Sequence, residues 1–244
     1  MDDVIAAHTL IRLLDLTSLN ADDSEYTVDE LCRKARTPYG NVAAICVWPK
    51  FVAQAKELTA DSEIKVATVV NFPNGENNLG KLKKEICAAL ESGANEIDAV
   101  FPYREFLNKN VKACENFVQT SRELCEGRAL KIILETGEIQ NAAKIAEASR
   151  ICIENGADFI KTSTGKTKVS ATPEAANAIL ETISQSTANV GFKASGGIRT
   201  IDDAKKYLVL ATSIMGYKWV SPANMRIGAS SLLDNLIATV RRGY

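Results

Sequence analysis

Short runs rich in β-branched residues alternate with amphipathic stretches along the whole chain, and few architectures accept that pattern. Eight runs read as strands, at residues 13–16, 42–47, 65–70, 96–100, 130–134, 159–162, 190–193 and 226–229. Several are apolar without alternation, as parallel strands covered on both faces should be. Helical spacing fills the gaps. Leu79, Leu82, Ile86, Ala89 and Leu90 recur at intervals of three and four, leaving Lys81, Lys83 and Lys84 for solvent. Ala142, Ile145, Ala148 and Cys152 repeat the pattern, and Thr172-Pro173-Glu174 reads as an N-cap followed by proline at the first helical position. Gly93 and Gly156 stand where helices should stop. They belong to an internal echo: Glu91-Ser-Gly-Ala-Asn-Glu-Ile-Asp98 resembles Glu154-Asn-Gly-Ala-Asp-Phe-Ile-Lys161, two strand–helix units later. The echo puts Asp98 and Lys161 at equivalent points on the fourth and sixth strands.

Eight strand–helix units without a linker or a composition shift predict a single (β/α)8 TIM barrel spanning residues 1–244, with 241–244 as a loose tail. The length of 244 residues suits one such barrel. An open doubly wound sheet is the rival, but no G-x-G-x-x-G follows the first strand. With 29 Lys+Arg against 30 Asp+Glu, the chain lacks the basic excess that nucleic-acid binding needs. No apolar run is long enough for a membrane span, and the opening Asp2-Asp3 argues against a secretory leader. Six scattered cysteines without a C-x-x-C pair, and a single histidine, His8, argue against a zinc site or a Ser–His–Asp triad. They suit a reduced, cytoplasmic protein that needs no metal or cofactor. His8 is expected to face solvent, and Trp48 and Trp219 to pack loops.

A barrel carries its function at the carboxyl ends of its strands, and here those ends are polar. Lys161 and Lys193 each follow apolar strand residues, one strand–helix unit apart. Two amines crowded into one poorly hydrated barrel mouth lower the basicity of at least one of them, which makes an amine nucleophile able to condense with a carbonyl. The blander alternative is a lysine that pairs with Asp98 or Asp15. Asp98 could move protons there or act only as counter-charge. Lys131 should lie two residues deeper on the same face, either tuning the site or neutralising a carboxylate. Cys46 ends the second strand with no activating neighbour, and Asp15 and Thr17 end the first. Gly196-Gly197 and Gly228-Ala-Ser-Ser231 each run into a helix start, where glycine and free N–H groups receive phosphate. Lys166, Arg199, Ser230 and Ser231 could add charge or hydrogen bonds.

Two segments, Phe159-Ile-Lys-Thr-Ser-Thr-Gly-Lys166 and Gly191-Phe-Lys-Ala-Ser-Gly-Gly-Ile-Arg199, resemble the deoxyribose-phosphate aldolase family. The resemblance extends in chain order over Leu14-Asp-Leu-Thr17, Asn71-Phe-Pro73, Glu96-Ile-Asp98, Phe101-Pro-Tyr-Arg104, Glu135-Thr-Gly137 and Gly228-Ala-Ser-Ser231. It implies a class I aldolase that reversibly cleaves 2-deoxy-D-ribose 5-phosphate to D-glyceraldehyde 3-phosphate and acetaldehyde. In that reading Lys161 forms the Schiff base, Lys193 keeps it unprotonated and Asp98 relays protons. Gly165, Lys166, Gly196, Gly197, Arg199, Gly228, Ser230 and Ser231 hold the sugar phosphate. Long members of the family end in a tyrosine that reaches the site, which makes Tyr244 a candidate. Partners are then a sugar phosphate and small aldehydes, with a homodimer one assembly open to such a barrel. A different phosphate-anchored imine aldolase and a sugar-phosphate-binding module without catalysis are the competing readings.

Overall fold

In a computed structural model that describes residues 2–243, eight parallel strands close into a barrel. They are β1 (Leu14–Thr17), β2 (Ala44–Val47), β3 (Lys65–Val70), β4 (Glu96–Val100), β5 (Ala129–Ile133), β6 (Phe159–Lys161), β7 (Gly191–Ser195) and β8 (Met225–Ala229). Each pairs with its sequence neighbours, and β8 pairs with β1 to complete the ring. Every predicted strand is present within two residues of its expected bounds. The largest shifts, two residues each, are at the end of β7 and the start of β2. Residues Arg36–Thr37 and Gly40–Asn41 form a short antiparallel ladder, and the Val42 N–H donates to the Ala35 carbonyl, so Val42 closes that turn instead of opening the strand.

The helices are α1 (Asp3–Leu13), α2 (Glu25–Lys34), α3 (Val52–Leu58), α4 (Leu79–Glu91), α5 (Tyr103–Leu107), α6 (Val111–Leu124), α7 (Thr136–Ile139), α8 (Ala142–Glu154), α9 (Pro173–Ser184), α10 (Ile201–Met215) and α11 (Leu232–Arg242). Their apolar stripes meet the outer face of the sheet. On α4, Leu82, Ile86 and Ala89 are buried, and each large side chain so buried contributes about 1.5–3 kcal/mol. Thr172 caps α9 with Pro173 behind it, as its sequence predicts. Strand alternation then sorts the faces. Ile160 and Phe192 join the core between sheet and helices, which turns their neighbours Lys161 and Lys193 toward the barrel axis.

Arg241 and Arg242, expected in a loose tail, form the last turn of α11, because the stripe Leu232, Leu236, Val240 holds the helix to the barrel. Tyr244 lies outside the described residues. His8 is half-buried edge-on against Tyr39, with ring centroids 5.6 Å apart, and does not face solvent freely. No helix among the described residues is long and apolar enough to cross a membrane.

Candidate active site

Six strands send charged side chains into one buried cluster that runs from the starts of β4 and β8 up the barrel axis toward its carboxyl mouth. β1 supplies Asp15, β4 supplies Glu96 and Asp98, and β5 to β8 supply Lys131, Lys161, Lys193 and Arg226 in turn. Asp98 is the hub. Its Oδ2 accepts from both Lys161 Nζ and Lys193 Nζ at 2.8 Å, and its Oδ1 accepts from Lys131 Nζ at 2.8 Å. Lys193 Nζ also donates to Asp15 Oδ2 at 2.5 Å. Lys131 Nζ lies 2.6 Å from Glu96 Oε2. Arg226 closes the network from below, donating to Asp15 Oδ1 at 2.7 Å and to Glu96 Oε1 and Oε2 at 2.8 and 3.1 Å. Lys161 and Lys193 are neighbours on adjacent strands, as their spacing predicts, and the pairing with Asp98 and Asp15 that stood as the blander alternative is present as well. Gly228 makes room for it, since a Cβ there would lie 3.1 Å from Lys193 Cε.

Four cations meet three carboxylates in this cluster, so one positive charge is in surplus. Burial pulls down the basicity of all the lysines, and what differs is how much each recovers from carboxylates. For Lys193, Asp15 and Asp98 outweigh burial, and its pKa rises above the ordinary lysine value. Lys131 also rises, through Asp98 and Glu96. Lys161 falls below the ordinary value, because burial and the charge of Lys193 together exceed the attraction of Asp98, its one acidic partner. Burial opposes ionisation of Asp98, yet the three lysines hold it well below the usual carboxylate range. Asp15 is lowered in the same way by Lys193 and Arg226. Cys46 is fully buried, and burial followed by the nearby Asp98 pushes its thiol up, which fits packing rather than attack.

Above the cluster opens a cavity of about 230 Å³. Lys161 is the one member of the cluster that lines it; Asp98 and Lys193 lie beneath. Thr17 is on the wall, together with Gly165, Lys166, Gly196, Gly197, Arg199, Gly228 and Ser230, so seven of the eight expected phosphate residues gather around one opening. Lys166 Nζ donates to the Leu19 carbonyl at 2.6 Å. Ser231 is not on the wall but stands at the N-cap of α11, where its side chain caps nothing. The two helix starts differ in what they leave free. The Thr200–Asp203 capping box occupies the beginning of α10, and Asn235 Oδ1 takes the Ile201 N–H. The first turn of α11 has no side-chain cap, so its N–H groups remain available to an anion.

Three residues of this region have roles that the sequence reading does not assign: Arg226, and Glu96 and Glu135, which it names only within motifs. Glu96 and Arg226 sit two positions below Asp98 and Gly228, and period-two alternation was the signal that put them on the inner face. Glu135 has a left-handed backbone (φ +58°) and a buried carboxylate that accepts from the Thr164 N–H at 3.3 Å and from the hydroxyls of Thr164 and Thr167. It pins the loop after β6. Burial raises its pKa.

The comparisons with known proteins agree with this geometry. A profile described as DeoC/LacD family aldolase matches residues 9–236. The chain is 46% identical over 240 residues to the deoxyribose-phosphate aldolase of Agrobacterium fabrum (strain C58), covering 98% of this chain and 93% of that one. A candidate deoxyribose-phosphate aldolase structure from Toxoplasma gondii ME49 superposes with a TM-score of 0.89 at 25% identity, over 98% of this chain and 97% of the other. The tetrameric deoxyribose phosphate aldolase of Aeropyrum pernix superposes with a TM-score of 0.77 at 25% identity, over 100% and 98%. With a closed barrel, a buried lysine–aspartate hub and a family match over most of its length, the chain belongs to the DeoC/LacD family of aldolases.

Proposed function

We propose that the protein is a class I aldolase that reversibly cleaves 2-deoxy-D-ribose 5-phosphate to D-glyceraldehyde 3-phosphate and acetaldehyde. The observation that carries the reading is the placement of Lys161: it alone joins the charge cluster to the cavity, and it is the lysine whose basicity is lowered. In the reaction the neutral Lys161 amine adds to the C1 aldehyde of the open sugar. Asp98 and Lys193 supply and remove the protons that let water leave, giving an iminium ion. The C3 hydroxyl loses its proton, the C2–C3 bond breaks, and its electron pair moves toward the cationic nitrogen. D-glyceraldehyde 3-phosphate departs and an enamine remains. Protonation at C2 and hydrolysis release acetaldehyde and regenerate the amine. The phosphate sits at Gly165, Lys166, Gly196, Gly197, Arg199, Gly228, Ser230 and the opening turn of α11 at Ser231, where its binding orients the reacting carbons.

Borohydride added with acetaldehyde should leave a reduced two-carbon adduct on the peptide carrying Lys161. Intact activity in Lys161→Ala would refute the assignment. Turnover with acetaldehyde but not dihydroxyacetone phosphate as donor separates this aldolase from other phosphate-anchored imine aldolases. Calorimetric binding of the sugar phosphate without any trapped imine would instead support a binding module. The same reading places the protein in the cytoplasm, supported by six unpaired cysteines, five of them buried. A homodimer is one assembly open to such a barrel, and sedimentation velocity tests it against a monomer or a tetramer.

A further inference from the structure

The cluster contains a residue that the proposed reaction does not touch. Arg226 is buried, only 6% exposed, and its three guanidinium nitrogens are all engaged. Nη1 and Nη2 bind Asp15 and Glu96, and Nε donates to the Pro222 carbonyl at 2.5 Å. We propose that Arg226 is a positioning residue for Lys161: by occupying Asp15 and Glu96 from below, it leaves the lysines one carboxylate short and strands the surplus charge at Lys161. The proposal rests on the reading of Lys161 as the imine-forming amine and adds, to burial and the charge of Lys193, a reason why no second carboxylate is left for it.

The contacts decide where the deficit falls. Lys131 touches Glu96 and Asp98, Lys193 touches Asp15 and Asp98, and Arg226 touches Asp15 and Glu96. Each of these three cations has at least two carboxylates, and Lys131 has Asp15 Oδ2 as a third at 3.8 Å. Lys161 has a single carboxylate oxygen, and it shares that oxygen with Lys193. A guanidinium cannot give up its proton in a protein, so Arg226 cannot relieve the surplus itself. The least-paired lysine must relieve it. The other groups facing Lys161 do not change the count: Cys46 is a neutral thiol with a raised pKa, and Lys166 and Arg199 on the cavity wall are cations that act in the same direction. The carbonyl that orients Arg226 comes from the segment between α10 and β8, a stretch whose sequence shows no pattern of its own.

Removing the arginine charge leaves three lysines facing three carboxylates. Lys161 then keeps its proton to higher pH. One unit charge roughly 10 Å away at an effective dielectric of about 20 moves a titration by about one pH unit. The readout is competitive labelling with limiting acetic anhydride, following by mass spectrometry the peptide that carries Lys161. It reports the amine's titration directly and needs no aldolase turnover. R226Q is expected to move the Lys161 midpoint up by about one unit, and the acid limb of kcat/KM with it. R226K, which keeps the charge, should leave the midpoint in place. E96Q, which deepens the deficit while leaving Arg226 on Asp15, should move it down. A role confined to folding would change expression or rate without shifting the midpoint in opposite directions. Unmoved midpoints in R226Q and E96Q overturn the proposal. If R226Q does not fold, E96Q decides alone: a downward shift supports the proposal, and an unshifted or upward midpoint overturns it. Absence of a borohydride-trapped adduct on wild-type Lys161 would refute the aldolase reading and leave the charge argument to be judged by labelling.

Discussion

Replacing Gly196 by alanine would put a methyl group where the structure has no room. A Cβ there would lie 2.5 Å from Ser170 Cβ, 2.7 Å from Ser170 Oγ and 3.1 Å from Gly165 Cα, on a backbone at φ +90°. Holding an alanine in that backbone region costs about 1–2 kcal/mol. Forcing a methyl into occupied space costs about 1–3 kcal/mol more, so the expected loss of stability is roughly 2–5 kcal/mol. Ser170 belongs to the loop that also carries Gly165 and Lys166. Relief of the clash by loop movement therefore opens the anion side of the cavity and leaves the Lys161 side in place. Urea denaturation measures the first effect. The second appears as a rise in KM for 2-deoxyribose 5-phosphate, with kcat/KM for unphosphorylated 2-deoxyribose little changed. Ser170→Gly removes both serine atoms, so the double variant should recover the steric share, about 1–3 kcal/mol. No recovery in the double variant, or equal losses on the two substrates, would refute the reasoning.

The charge cluster yields further expectations. Asp98→Asn strips the shared acceptor from three buried lysines and should cost about 3–5 kcal/mol in chemical denaturation. Lys161→Met removes an amine whose ionisation burial and Lys193 oppose and should raise the unfolding free energy by about 1–2 kcal/mol at neutral pH while abolishing borohydride trapping. On acidification, Asp15, Glu96 and Asp98 are all lowered, so their stabilisation is complete above their unfolded values near pH 4 and is lost only as pH falls through their folded ones; tryptophan fluorescence should report a native signal down to about pH 4. Cys87 is the exposed cysteine, so one thiol should react quickly with an aromatic disulfide reagent in the native protein and the others only in denaturant.

Much of this was open to sequence reasoning, for local reasons. The eight strands are legible because each is a short apolar run ended by a polar residue, and the barrel follows from their order. Lys161 and Lys193 stand out because a charge within an apolar run has only the barrel axis to point to. Glu96 and Arg226 do not stand out, because a charged residue at the start of a strand usually faces solvent; here ring closure brings Arg226 to Glu96. The role of Glu135 depends on a left-handed turn and on a loop that arrives about thirty residues later, and no spacing rule encodes that meeting. The capping box at Thr200 was readable as a helix start, but its consequence for the anion site appears only when the two helix openings are compared.

Asp15 receives Lys193 across 178 residues of sequence and Arg226 across 211. Those partners are among the last to leave the ribosome. A nascent chain stopped before β8 would hold the three carboxylates and the three lysines without the guanidinium that bridges Asp15 to Glu96 and without the strand that closes the ring around them, so burying those charges in an open barrel would cost their desolvation before the pairing is complete. Early collapse around a half-made centre is therefore penalised, and the penalty lifts when the final strand slots beside the first. The centre that serves the chemistry is thus complete only when the ring is.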